Sequence, residues 1–216
     1  EVEDIEKYLR IGPLQSTVVR KISNMNPQIV AYFMNRYMVV GDKTYLDPCC
    51  GWGVRLSVAK QRGLRYIGFE VNHNLVIQLN KMKDWFEKHY MVGVTINEKS
   101  STEEVKEYFG IADFIFTSPP YFDQDGLVEV YTPEQEKAYK QLTREEWNNT
   151  FTRPLLRNCF NYLKDGKYAI FNVDKFSIED YAKIGMEVGF KLWSIDYVQH
   201  GKVTGSKRNA VPEPAV

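Results

Sequence analysis

Two short segments hold the residue types best suited to chemistry. Asp47-Pro-Cys-Cys-Gly-Trp-Gly53 combines a carboxylate, two thiols and two glycines, and Thr117-Ser-Pro-Pro-Tyr-Phe122 combines hydroxyls, two prolines and two rings. Successive prolines carry no N–H, so the second segment offers carbonyl oxygens without competing donors. The Ser118 hydroxyl and the Pro119 carbonyl, continued by Pro120, make an acceptor-rich notch with the flat ring of Tyr121 beside it. A planar ring bearing an exocyclic NH2 group fits such a notch. The two acceptors hold its two N–H bonds and draw the nitrogen out of conjugation, which frees its lone pair to attack an electrophile. Stacking on Tyr121 adds about 1–3 kcal/mol.

The first segment lies where an apolar strand gives way to a helix, the usual ligand position in a doubly wound sheet. Glycines there let the backbone approach a ligand closely. Glu70, followed by Val71, stands 23 residues beyond Asp47 at the end of the next strand. A carboxylate at that place accepts the two hydroxyls of a ribose. A dinucleotide fits poorly. Leu56 occupies the position where the dinucleotide fingerprint needs a third small residue. Asp47 would also repel a pyrophosphate, whereas it suits a cationic amine. S-adenosylmethionine has an amino group, a sulfonium and a ribose but no phosphate, and it is the cofactor these residues point to. Cys49 and Cys50 read as small loop residues and Trp52 as helix packing.

These segments need elements to hold them. Strands are expected at 44–47, 65–70, 92–96, 112–117, 167–173 and 190–198, with 213–216 as the start of a seventh. Asn26-Pro27 reads as an N-cap and first helical residue of a helix to about Val39. Helices follow from Gly53 to Arg62, His73 to Tyr90, Ser101 to Phe109, Thr143 to Leu163 and Ser177 to Val188. Ser101–Glu104 and Thr143–Glu146 have the capping-box pattern, and Pro154 should kink the helix that contains it. Repeated β-α-β units imply an α/β fold with a doubly wound, mostly parallel, seven-stranded sheet in a single domain. That domain spans residues 26–216, after an N-terminal extension at 1–25, with an active-site loop at 119–142 and a basic loop at 199–212.

Composition narrows the class. Lysine plus arginine and aspartate plus glutamate each number 28 in 216 residues, so any contact to phosphate must come from local clusters. With 44% hydrophobic residues the chain can bury a sizeable core, which excludes disorder. No apolar run approaches the roughly 18 residues of a membrane helix, no signal peptide is visible, and no membrane partner is expected. Cys49, Cys50 and Cys159 form no CxxC or His/Cys ligand spacing, so neither a metal nor a disulfide framework is expected. A cytoplasmic setting follows, in a nucleoid or in a virus-infected host cell. His73, His89 and His200 have no carboxylate or cysteine pattern around them and read as surface or core residues.

Asp-Pro-x-x-Gly-x-Gly followed by Ser-Pro-Pro-Tyr resembles the S-adenosylmethionine-dependent amino-methyltransferases of DNA, which make N4-methylcytosine or N6-methyladenine. The resemblance runs from about Asn26 to Val216. It implies that Asp47, Pro48, Cys49, Gly51 and Gly53 form the cofactor loop and that Glu70 and Val71 flank the ribose. It also implies that residues 23–29 pack on the methionine part and that Ser100 lies near the adenine. Ser118, Pro119, Pro120 and Tyr121 then form the catalytic tetrad. Serine in its first position is more usual for cytosine N4 than for adenine N6. Methylation at carbon 5 would need a cysteine after the prolines, where Tyr121 stands.

The expected partner is DNA, either a duplex with the target base flipped out or a single strand. Lys202, Lys207 and Arg208 in the glycine-containing basic loop are the expected phosphate contacts. A chain of this size has no room for a large recognition domain, so a specificity subunit or a homodimer is a further expectation. An RNA base and a glutamine side-chain amide present the same planar NH2. A non-catalytic nucleic-acid-binding subunit would share the fold.

Overall fold

The computed structural model describes residues 25–89, 93–122, 141–198 and 213–215. The chain builds α1 (Pro27–Tyr37), β1 (Thr44–Asp47), α2 (Val54–Gln61), β2 (Arg65–Glu70), α3 (His73–His89) and β3 (Val94–Glu98). A 3₁₀ turn (Lys106–Tyr108), β4 (Ala112–Thr117), α4 (Arg144–Trp147), a π-helical turn (Asn148–Thr152) and α5 (Arg153–Tyr162) follow. β5 (Leu163–Phe171), α6 (Ile178–Val188), β6 (Asp196–Val198) and β7 (Glu213–Ala215) complete it. Five strands form one parallel sheet in the order β3-β2-β1-β4-β5.

Strand alternation supplies both faces of this sheet. Tyr45, Tyr66, Phe114 and Phe116 pack against α1–α3 through Phe33, Leu56 and Leu79. Leu46, Ile67 and Ile115 pack against α5 and α6 through Leu155, Cys159 and Ile184. Every residue of β4 is buried, as a central parallel strand requires. Two helix starts are as the sequence predicts. Asn26 accepts the Gln28 N–H, and Thr143 and Glu146 close a reciprocal capping box.

The single seven-stranded sheet is corrected. β5 pairs with β4, while β6 and β7 form a separate antiparallel pair. Side chains hold the segment before β6 in place. Trp193 meets Tyr168 edge to face at 6.0 Å, and Tyr37 reaches Ser194 at 3.1 Å and Asp196 at 3.4 Å. Opposite Tyr197, Pro214 has no N–H to give to a ladder.

The helix expected from Ser101 is corrected as well: only the 3₁₀ turn forms there. Ser100 Oγ accepts the Thr102 N–H and Glu103 accepts the Ser100 N–H, so the capping chemistry closes a local turn one residue early. Tyr162 OH then takes the Val105 N–H at 2.8 Å and removes it from any helix. The helix containing Pro154 runs nearly as expected, but its irregularity is the π turn just before the proline. The missing N–H and the ring displace the preceding turn.

Lys60 is fully buried, donating to the carbonyls of Leu64 (3.0 Å) and Gly93 (2.7 Å). Burial lowers its pKa from 10.5 to about 8, against the opposing pull of Glu87. Between those values the unfolded chain binds the proton that the folded chain has released, so stability rises with pH there. Relative to Lys60→Met, which cannot titrate, the protein is expected to gain about 2 kcal/mol between pH 7 and pH 9.5. Urea denaturation at the two pH values checks this.

Candidate active site

Asp47 ends β1 with its side chain fully buried. Its carboxylate accepts four hydrogen bonds, from Arg55 Nε (2.7 Å), Tyr66 OH (2.7 Å), Thr117 Oγ1 (3.0 Å) and the Cys49 N–H (3.2 Å). Arg55, itself buried, also donates to the Cys49 carbonyl. The cation opposite Asp47 in this structure is therefore Arg55, where the sequence suggested a ligand's amine. Asp47 acts as a hub joining the first loop, β2, α2 and the end of β4.

The loop after Asp47 folds back over β2. The Cys50 N–H bonds to the Phe69 carbonyl at 2.9 Å. Gly68 makes room for this, since a Cβ there would lie 2.2 Å from Cys50 Sγ. Gly53 caps α2 in the left-handed region (φ 79°), where a Cβ would meet Leu79 and Met82 at 2.9–3.0 Å. Over Gly51 (φ 52°) the corresponding space is open to 4 Å. Pro48 is buried. Burial pushes the Cys49 thiol up to about 12 and Cys50 well above its ordinary range, so neither is a thiolate at neutral pH.

Glu70 ends β2 nearly buried. One oxygen accepts the Gly51 N–H, and the other accepts the N–H groups of Val71 and Asn72, all at 2.9 Å. Burial raises its pKa above the usual carboxylate range, and these three donors oppose the rise. Ser100 spends its hydroxyl on Thr102 at 2.7 Å. The neighbouring Ser101 faces the loop instead, with Oγ 3.7 Å from Cys49 Sγ and its carbonyl held by Asn158 at 2.8 Å.

Ser118–Tyr121 leaves the carboxyl end of β4 directly after Thr117. Pro119 is buried, Ser118 and Pro120 are half-buried, and Tyr121 and Phe122 pack on the core beneath α5 and α6. The Thr117–Asp47 hydrogen bond spans 70 residues of sequence and ties this turn to the first loop. The Asn172 N–H, donated to the Thr117 carbonyl at 2.9 Å, brings the end of β5 alongside. The structure thus unites the Asp47 loop, Glu70 and the Ser118 turn on one rim of the sheet. Lys202, Lys207, Arg208 and residues 123–140 of the expected active-site loop lie outside the described residues.

No family profile matches the sequence, and no curated protein does. Solved structures match. An S-adenosylmethionine-dependent methyltransferase from Methanosarcina mazei superposes with a TM-score of 0.59 at 11% identity, over 89% of this chain and 96% of that one. Precorrin-6Y C5,15-methyltransferase from Geobacter metallireducens gives 0.53 at 14% identity, over 93% of both chains. Geranyl diphosphate methyltransferase, in complex with S-adenosylmethionine, gives 0.55 at 9% identity, over 83% of this chain and 71% of that one. The fold is that of the S-adenosylmethionine-dependent methyltransferases. Precorrin-6Y and geranyl diphosphate are unrelated molecules, so the methyltransferase fold leaves the acceptor to be argued from the site.

Within this methyltransferase fold, sequence alone assigns no part in the Asp47 loop to Arg55, Tyr66, Thr117 or Ser101. Arg55 had one signal: a charged residue among the apolar positions Val54, Leu56 and Val58, which on a buried helix requires a partner. No helix among the described residues is long and apolar enough to cross a membrane, and no group of metal-ligating side chains occurs among them.

Proposed function

We propose that this chain is an S-adenosylmethionine-dependent methyltransferase of an exocyclic amine on a DNA base, with cytosine N4 favoured over adenine N6. The observation that carries this reading is the bond between Thr117 and Asp47, which joins the amine-accepting turn to the cofactor loop. The loop's residues fit the cofactor. There is open space over Gly51, Glu70 stands beside it, and the Trp52 indole N–H is enclosed without an acceptor among the described residues. A ribose in this loop would meet Glu70, and Gly51 and Gly53 would let the backbone approach the ligand.

S-adenosylmethionine supplies an electrophilic methyl group on a sulfonium. The chain's own residues orient the acceptor. Ser118 Oγ and the Pro119 carbonyl accept the two N–H bonds, Tyr121 stacks on the base, and Pro120 keeps a competing donor out of the notch. Ser118 is a weak base, so the surplus proton passes to water. The target base reaches this notch from single-stranded DNA, or after flipping at a cost of a few kcal/mol.

A substrate panel tests the reading. The protein is incubated with methyl-tritiated S-adenosylmethionine and, separately, unmethylated DNA, unmodified RNA and a glutamine-containing protein extract. Label is expected in DNA. Label confined to RNA or protein overturns the DNA assignment, and no cofactor binding at all supports an inert subunit.

A further inference from the structure

Phe176, in the loop between β5 and α6, leaves 69% of its surface in water. Single exposed apolar residues are ordinary, but this one stands on a fixed backbone. Asp174 Oδ1 accepts the N–H groups of Phe176 (2.7 Å) and Ser177 (3.0 Å), and its Oδ2 accepts the Ser177 hydroxyl (2.9 Å). Lys175 holds its ammonium 4.8 Å from the ring centroid. Asp174 is committed to this turn and Asp180 to Arg144 at 2.6 Å, while Glu179 is exposed in the first turn of α6.

Arg144 ties this loop to the catalytic turn. Its Nη2 donates to the Phe176 carbonyl, and its guanidinium lies 6.0 Å from the ring of Phe122, the residue after Tyr121. Phe122 also packs on Trp147 at 6.3 Å. One side chain therefore spans from the backbone of Phe176 to the ring of Phe122, at the end of the amine notch. Together with the bond between Asn172 and Thr117, it puts Phe176 on the same rim as Ser118–Tyr121.

We propose that Phe176 and Lys175 form a DNA-binding rim beside the notch: the ring stacks on a base flanking the target, and the ammonium meets a backbone phosphate. A rigid aromatic face beside a cation is the combination that holds a single strand without reading its sequence. This inference rests on the DNA reading above.

Anisotropy of a fluorescein-labelled, cytosine-containing single-stranded oligonucleotide tests it. Phe176→Ala is expected to weaken binding about tenfold, and Phe176→Trp to retain it. Lys175→Gln is expected to reduce the slope of log affinity against log salt by about 0.7. Affinity for S-adenosylmethionine stays unchanged in all three variants, which separates the effect from misfolding. Wild-type affinity in Phe176→Ala, or equal weakening in Phe176→Trp, overturns the rim while leaving the function reading intact. A wild-type protein that binds only the corresponding duplex overturns the rim alone, and one that binds neither strand form overturns both.

Discussion

Replacing Arg55 with alanine is expected to destabilise the protein by about 3–5 kcal/mol. Asp47 is fully buried, and Arg55 is the cation that answers it at 2.7 Å. Its other three donors, Tyr66, Thr117 and the Cys49 N–H, are neutral. Losing Arg55 leaves a carboxylate in the core with hydrogen bonds but no counter-charge, and it also frees the Cys49 carbonyl. The double variant Asp47→Asn/Arg55→Ala, which removes both charges, is expected to recover part of that loss, so the two substitutions will not be additive. Urea denaturation of the two single variants and the double variant gives the coupling. Additive losses would mean that the pair does not organise the loop.

Ser118→Ala is expected to lower kcat by about a hundredfold while leaving S-adenosylmethionine affinity unchanged. Ser118 is half-buried at the end of β4, so the substitution removes one acceptor without emptying the core. On the proposed reading the amine then keeps the Pro119 carbonyl but loses the second hold on its geometry, a deficit felt most when the lone pair must point at the methyl group. Single-turnover rates with saturating DNA read the chemical step directly. A rate within twofold of wild type would remove Ser118 from the chemistry.

What could be read from sequence was local. Asn26-Pro27 and Thr143–Glu146 carry their caps within a few residues, and both helices start where those residues require. β1, β2 and β4 have the predicted limits because their apolar runs are short and sharply bounded. The two motifs were legible as separate segments. What remained hidden depends on distant partners. The helix expected from Ser101 lost to a hydroxyl 57 residues away, Tyr162 on Val105. The role of Asp47 depended on Arg55, Tyr66 and Thr117, which converge once three elements pack together. Among the described residues the main sheet has five strands, and the segment leading into β6 meets α1 and β5 through the side chains of Tyr37 and Tyr168, contacts between residues far apart in sequence.

The most direct test is the chemical identity of the product. The protein is incubated with trideuteromethyl S-adenosylmethionine and unmethylated DNA, which is then digested to nucleosides and analysed by mass spectrometry. Trideuterated N4-methyldeoxycytidine is the expected product. N6-methyldeoxyadenosine would keep the amine chemistry and overturn the reading of Ser118 as a cytosine signature. Label at carbon 5 of cytosine would contradict the assignment of the Ser118–Tyr121 turn as an amine-accepting site, and label in no base would contradict DNA as its substrate.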